Sequence, residues 1–140
     1  MALSPQKFRE IVFLLIYSQD FDSDPEVVVL LMGQLAVTAR TLREASSLKE
    51  EILVYKEALD EVIRTHSKAY DFERIPRVER NIMRLAVYEL LIAKDIPPKV
   101  AISEAMRLTR KFATPEAVSF VNAILDSIFQ EKDVPAISSP

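Results

Sequence analysis

Few side chains in this sequence are of a type and spacing that could act together as acids, bases, nucleophiles or ligands. His66 is the only histidine, and there is no cysteine. A lone imidazole with no second histidine and no thiolate does not make a standard metal site. Helical winding places His66 on a stripe with Ile52, Leu59 and Ile63, so it reads as a packed or edge-of-core histidine. Glu89 shares a face with Val78, Ile82 and Leu85. A carboxylate there could serve as a general base, but no nucleophile or second carboxylate is spaced to work with it. An ion pair to a neighbouring helix accounts for it better. No nucleophile, base and orienting group can be assembled into a set. No metal and no cofactor is expected, and the expectation is a protein that binds rather than an enzyme.

Recognition is the other chemistry on offer. Lys7 and Arg9, with Arg107, Arg110 and Lys111, would make a modest basic patch if their helices pack together. The segment "KFATPEAVSFVNAIL" (111–125) adds an aromatic. Winding it at about 100° per residue gathers Ala117, Val121, Ile124, Leu125 and Ile128 on one stripe. Phe120 lies at the edge of that stripe, towards Glu116, Ser127 and Glu131. Beside a basic patch such a ring is a platform for an unpaired base; otherwise it is one exposed Phe on an ordinary surface. The charged stretch from Arg43 to Glu51 reads as a solvated face.

The elements that must position these residues are helices. Ser4-Pro5, Asp24-Pro25 and Thr114-Pro115 each pair an N-cap residue with a proline suited to the first helical position. "SLKE" (47–50) has the form of a capping box, and "DIPP" (95–98) ends one helix and starts another. The predicted helices are 5–20, 25–45, 48–69, 76–94, 98–112 and 115–131, with a short turn of helix around 71–75. No stretch alternates with the period of a strand, and the single glycine argues against hairpins and phosphate-cradling loops. In the first helix Phe8, Ile11, Val12, Leu15 and Ile16 make one face, with Phe13, Leu14 and Tyr17 pointing away. The helix "RVERNIMRLAVYELLIAK" is apolar on most sides, interrupted by Glu79, Arg80, Asn81, Arg84 and Glu89. Such a helix is central in a bundle or half of an interface.

At 140 residues, 49% of them hydrophobic, the sequence can build one domain with a real core. We expect a single all-helical domain over 1–132 and a loose tail over 133–140. No apolar run reaches membrane-spanning length, and the N-terminus lacks the layout of a signal peptide, so a cytoplasmic protein is expected. The net charge of −3 speaks against a broad nucleic-acid surface but leaves room for a small one.

The segments "ERIPRVERNIMRLAVYELL" (73–91), "IPPKVAISEAMRLTRKF" (96–112) and "SFVNAILDSI" (119–128) closely resemble the NusB family of bacterial transcription antitermination factors in order, spacing and connections. "REIVFLLIYSQDF" (9–21) resembles the family's first helix more loosely. The resemblance implies an all-α fold of two packed three-helix bundles forming one domain. It also implies a function: binding the boxA element of nascent RNA together with NusE, a ribosomal small-subunit protein, and so indirectly helping RNA polymerase read through terminators, chiefly in ribosomal RNA operons. Carried over by position, Phe120 matches the aromatic before "VN" that stacks on RNA, and Glu116 an acidic residue near the RNA. Tyr17, in "LLIYSQ", matches a NusE contact, and Glu79, in "RVERNI", the acidic residue that reaches a basic group of NusE.

The sequence also departs from the family pattern. The arginine-rich start of the first helix is here "SPQKFRE", which leaves Lys7 and Arg9 for RNA phosphates. Phe8, Phe13 and Leu14 are bulkier than the family's residues, and Ala113 and Ala123 stand where glycine is usual. The alternative reading is therefore a NusB-like protein-interaction module, NusE-binding or homodimeric, with weak or lost RNA binding.

Overall fold

Proline at a helix start is most useful when the residue before it can cap, and both described Ser/Thr-Pro pairs do so. In the computed structural model, which describes residues 3–20, 37–68, 70–93 and 95–131, Ser4 Oγ accepts from the Lys7 amide at 3.2 Å, opening α1 (Pro5–Asp20). Thr114 Oγ1 accepts from the Ala117 amide at 3.2 Å, opening α6 (Pro115–Gln130). Between them run α2 (Ala39–Val54), α3 (Lys56–His66), a 3-10 turn (Phe72–Arg74), α4 (Arg77–Leu91) and α5 (Pro98–Phe112). Every regular element among the described residues is helical, and none of these helices is long and apolar enough to cross a membrane. The Asp24-Pro25 cap, the expected helix from 25 up to residue 36, and the tail 133–140 lie outside the described residues.

The chain divides into two compact units, Met1–Leu53 and Val54–Pro140. In the first, α1 buries Glu10, Ile11, Val12, Phe13, Leu15 and Ile16. Phe13 was expected to point away from the apolar face, yet it is buried and stacks on Tyr17, with ring centroids 5.8 Å apart and planes at 24°. The two rings are one helical turn apart, where side chains meet. α1 is therefore buried on more than one side, which a single-stripe reading misses.

A capping box at Ser47 should start a helix, but Ser47 is an exposed residue in the middle of α2. That helix starts instead at Thr38, whose Oγ1 accepts from the Thr41 amide at 3.1 Å. No glycine or proline interrupts 39–54, and the buried Ala45 and Ile52, seven residues apart, share a face across the expected break. Continuous burial outweighs a local capping signal. The interruption falls at Tyr55, after which α3 begins.

In the second unit α4 packs against α3, α5 and α6, and α6 also packs against α3 and α5. All nine residues from Asn81 to Glu89 are buried. The wide apolar surface read from this segment thus belongs to a central helix rather than to one half of an interface. Two of its buried polar residues, Asn81 and Arg84, are partnered inward. Arg84 Nε donates to Asp60 Oδ1 at 2.6 Å and Nη2 to Oδ2 at 2.9 Å, while Nη1 donates to Asn81 Oδ1 at 2.9 Å. Asn81 Nδ2 donates in turn to the Arg77 carbonyl at 2.8 Å. The guanidinium carbons of Arg64, Arg80 and Arg84 stand 4.8, 5.4 and 5.9 Å from the ring centre of the buried Phe72. Arg80 Nε is buried without a hydrogen-bond partner among the described residues, so attraction to the ring offsets part of its lost hydration.

Two predictions follow from these contacts. Removing one partner of a buried, hydrogen-bonded ion pair strands the other charge, so Arg84→Met should cost about 3–5 kcal/mol in urea unfolding, with much of it restored by adding Asp60→Leu. An unimpaired single variant would show the pair to be dispensable. Thr38→Ala should cost about 1 kcal/mol as a lost N-cap, whereas Ser47→Ala should be neutral or stabilising by a few tenths. The reverse ranking would restore the helix start at Ser47.

Candidate nucleic-acid and partner interface

The first turns of α6 present Glu116 and Phe120 one turn apart on one side, because Val121, Ile124, Leu125 and Ile128 take the buried side. Glu116 is exposed and Phe120 half-buried. The edge position read from the sequence is thus kept: the ring is seated by the core without being enclosed. It also has a neighbour that periodicity could not supply. Tyr70, from the segment between α3 and the 3-10 turn, meets Phe120 at 5.4 Å between centroids with planes at 81°. Fifty positions separate the two rings in sequence. The one signal for Tyr70 was an aromatic in a polar stretch, which does not point to any partner.

Cations lie nearby along the chain. Arg110 and Lys111 are exposed in the last turn of α5, just ahead of the Thr114 cap, and Lys111 Nζ stands 5.7 Å from the Phe112 ring centre. Arg107 is engaged closer to home, its Nε donating to Glu104 Oε2 at 2.7 Å. Lys7 and Arg9 belong to α1 of the first unit. Lys7 Nζ lies 3.8 Å from Oε2 of the buried Glu10, and Arg9 is half-buried and itself engaged. The N-terminal cations are therefore fewer than in an arginine-rich helix and partly compensated by the protein.

Of the two residues matched to a protein contact, Tyr17 is half-buried on α1 against Phe13. Glu79, in the first turn of α4, is only 7% exposed, and its Oε2 is buried with no hydrogen-bond partner among the described residues. His66 is held at the edge of the core as expected. Its Nδ1 lies 2.8 Å from the Val62 carbonyl, and its Nε2 contacts Glu131 Oε2, joining the end of α3 to the end of α6. Glu89 is buried on α4 and is not free. Among the described residues no group of three or more His, Asp or Glu is placed to hold a metal ion.

The all-helical scaffold thus carries an edge aromatic, a flanking carboxylate and scattered cations. Comparison with known proteins gives the family. The model of the NusB family matches residues 6–130. A transcription antitermination protein NusB from Trichlorobacter lovleyi is 37% identical over 131 residues, covering 86% of each chain. One from Dehalococcoides mccartyi strain 195 is 33% identical over 130 residues, covering 91% of each. Among solved structures, T. maritima NusB superposes with a TM-score of 0.79 at 29% identity, covering all of this chain and 96% of that one. A crystal structure of the antitermination factors NusB and NusE in complex with double-stranded RNA aligns with a TM-score of 0.74 at 26% identity, covering 89% and 95%. The chain belongs to the NusB family, and its fold is the all-α fold of that family.

Glu79 yields a direct test. A buried oxygen without a partner carries its desolvation cost uncompensated, so Glu79→Met should raise the unfolding free energy by about 1 kcal/mol. A clear loss of stability would reveal a stabilising contact of the carboxylate.

Proposed function

We propose that this chain is a transcription antitermination factor that binds boxA-type RNA together with NusE, over a single functional domain of residues 1–132, in the cytoplasm and without catalysis. The observation that carries the reading is the half-buried ring of Phe120, seated at the edge of α6 within the stretch that matches the family. The name of the relatives and the NusB–NusE–RNA composition of a similar structure support it.

In this mechanism recognition is divided between two kinds of contact. Lys7 and Arg9 hold phosphates and set the register of the strand, while Phe120 stacks a splayed base. Glu116, an acceptor one turn before Phe120, takes a hydrogen bond from a base N–H. Tyr17 and Glu79 meet NusE. Glu79 is 7% exposed and its Oε2 is buried, so on this reading the carboxylate must turn outward to meet a cationic group of NusE. The pairing of Lys7 with Glu10 favours the alternative of a NusE-binding or homodimeric module with little RNA affinity, because a compensated lysine has less to give a phosphate.

Binding of a boxA-type single-stranded RNA at two salt concentrations, with and without NusE, separates the two. Affinity should rise when NusE is present. Two phosphate contacts give a log–log salt slope of only about −1.4. Phe120→Ala should weaken binding roughly five- to a hundredfold, the worth of one stacked base. NusE binding with no RNA affinity in either condition would establish the protein-interaction module and remove Lys7, Arg9, Glu116 and Phe120 from the RNA site.

A further inference from the structure

We propose that Tyr70 and Phe120 together form a two-ring corner that receives one unpaired nucleobase, with Tyr70 supplying a wall of the site. This rests on the RNA-binding reading above and adds to it a residue that neither the motifs nor the helical periodicity single out.

A surface tyrosine alone needs no explanation. Tyr70 differs in where its ring is spent. It is 56% exposed, yet its ring meets the half-buried ring of Phe120 nearly at right angles. Rings at 81° make a corner: a flat base lying on the open face of one brings its edge to the other. The phenol hydroxyl of Tyr70 is both donor and acceptor, so this wall can also hydrogen-bond, which the phenyl ring of Phe120 cannot.

The corner is built before any ligand arrives. Ser67 Oγ donates to the Tyr70 carbonyl at 3.0 Å, and the Arg74 amide donates to the Asp71 carbonyl at 2.9 Å, so the backbone is tied on both sides of Tyr70. Phe120 is held by the helix whose other side is core. Two rings with few rotatable bonds on anchored backbone lose little freedom on binding.

The surroundings favour a base over the apolar face of a protein. Along α6 the exposed residues on the side of Phe120 are Glu116, Ala123 and Ser127, all small or polar, so the rings make a narrow step rather than a broad apolar patch. Glu116 offers an acceptor for a base N–H, and Arg110 and Lys111 precede the α6 cap with positive charge for the backbone. Stacking is indifferent to base identity because every base has a π face, so any preference comes from the hydrogen-bonding groups at the rim.

The chain has no tryptophan, so Tyr70→Trp installs a single indole reporter in the wall. On titration with boxA-type RNA, in the presence of NusE, its fluorescence should change saturably with the same midpoint as the anisotropy of labelled RNA. Tyr70→Phe should keep most of the affinity. Tyr70→Ala should lower it roughly three- to thirtyfold, a partial stacking loss, while NusE affinity and thermal unfolding stay as in the parent. Replacing RNA bases one at a time by abasic sites should reveal a single position whose penalty shrinks in both Phe120→Ala and Tyr70→Ala. If RNA binds and Phe120→Ala weakens it, but Tyr70→Ala binds like the parent or the indole is silent, the corner is wrong and the Phe120 reading stands. If the parent binds no RNA with or without NusE, the RNA-binding reading falls and the corner with it.

Discussion

The second unit is organised around a buried guanidinium. Arg84 sits in the middle of the central helix α4, where its charge would be intolerable unpaired. Asp60 of α3 meets it with both carboxylate oxygens, and Asn81 takes a third donor. A two-toothed contact of this kind fixes rotation as well as distance, so it sets how α4 lies against α3. Phe72 closes the arrangement by offering its ring to three arginines. Replacing such a network with apolar side chains often costs little stability, so we read its value here as specificity of register. The seating of α6 against α3 and α4, and hence the height of Phe120 at the surface, follows from that register.

The same network shows what was legible in the sequence. Caps at Ser4 and Thr114 could be read because they are local chemistry: a hydroxyl, a following proline and an amide three residues on. The bounds of α1 and α5, and the start of α6, followed from such signals. The polar residues of α4 could be seen as interruptions, but whether they faced solvent or each other depends on Asp60, more than twenty positions away. Ser47 misled for a related reason. A capping box is a preference worth about 1 kcal/mol, and the shared burial of Ala45 and Ile52 exceeds it. Phe13 was misplaced because one stripe per helix is a rule for helices buried on one side only.

Within the candidate site, the residues that resemblance could transfer are those tied to a motif: Phe120 before "VN", Glu116 a turn earlier, Glu79 in "RVERNI". Tyr70 belongs to no helix, so neither period nor cap could connect it to α6. The site is thus half sequence pattern and half tertiary juxtaposition. The geometry also bears on a departure from the family pattern. Ala113 stands where glycine is usual, and its φ of −115° is not the positive φ that calls for glycine.

Thin cationic content and a preformed aromatic step pull recognition in one direction. Phosphate contacts add affinity to any strand and fade with salt, whereas stacking adds affinity only where a base can leave its neighbours. A protein with Lys7 already near Glu10 and Arg107 bound to Glu104 has given up part of the first term. On the proposed reading, what remains favours single-stranded over paired RNA, because a base held in a duplex cannot lie on either ring. A weak grip on the backbone then leaves affinity open to a gain from positive charge on a partner bound alongside, while the choice between paired and unpaired bases stays with the rings.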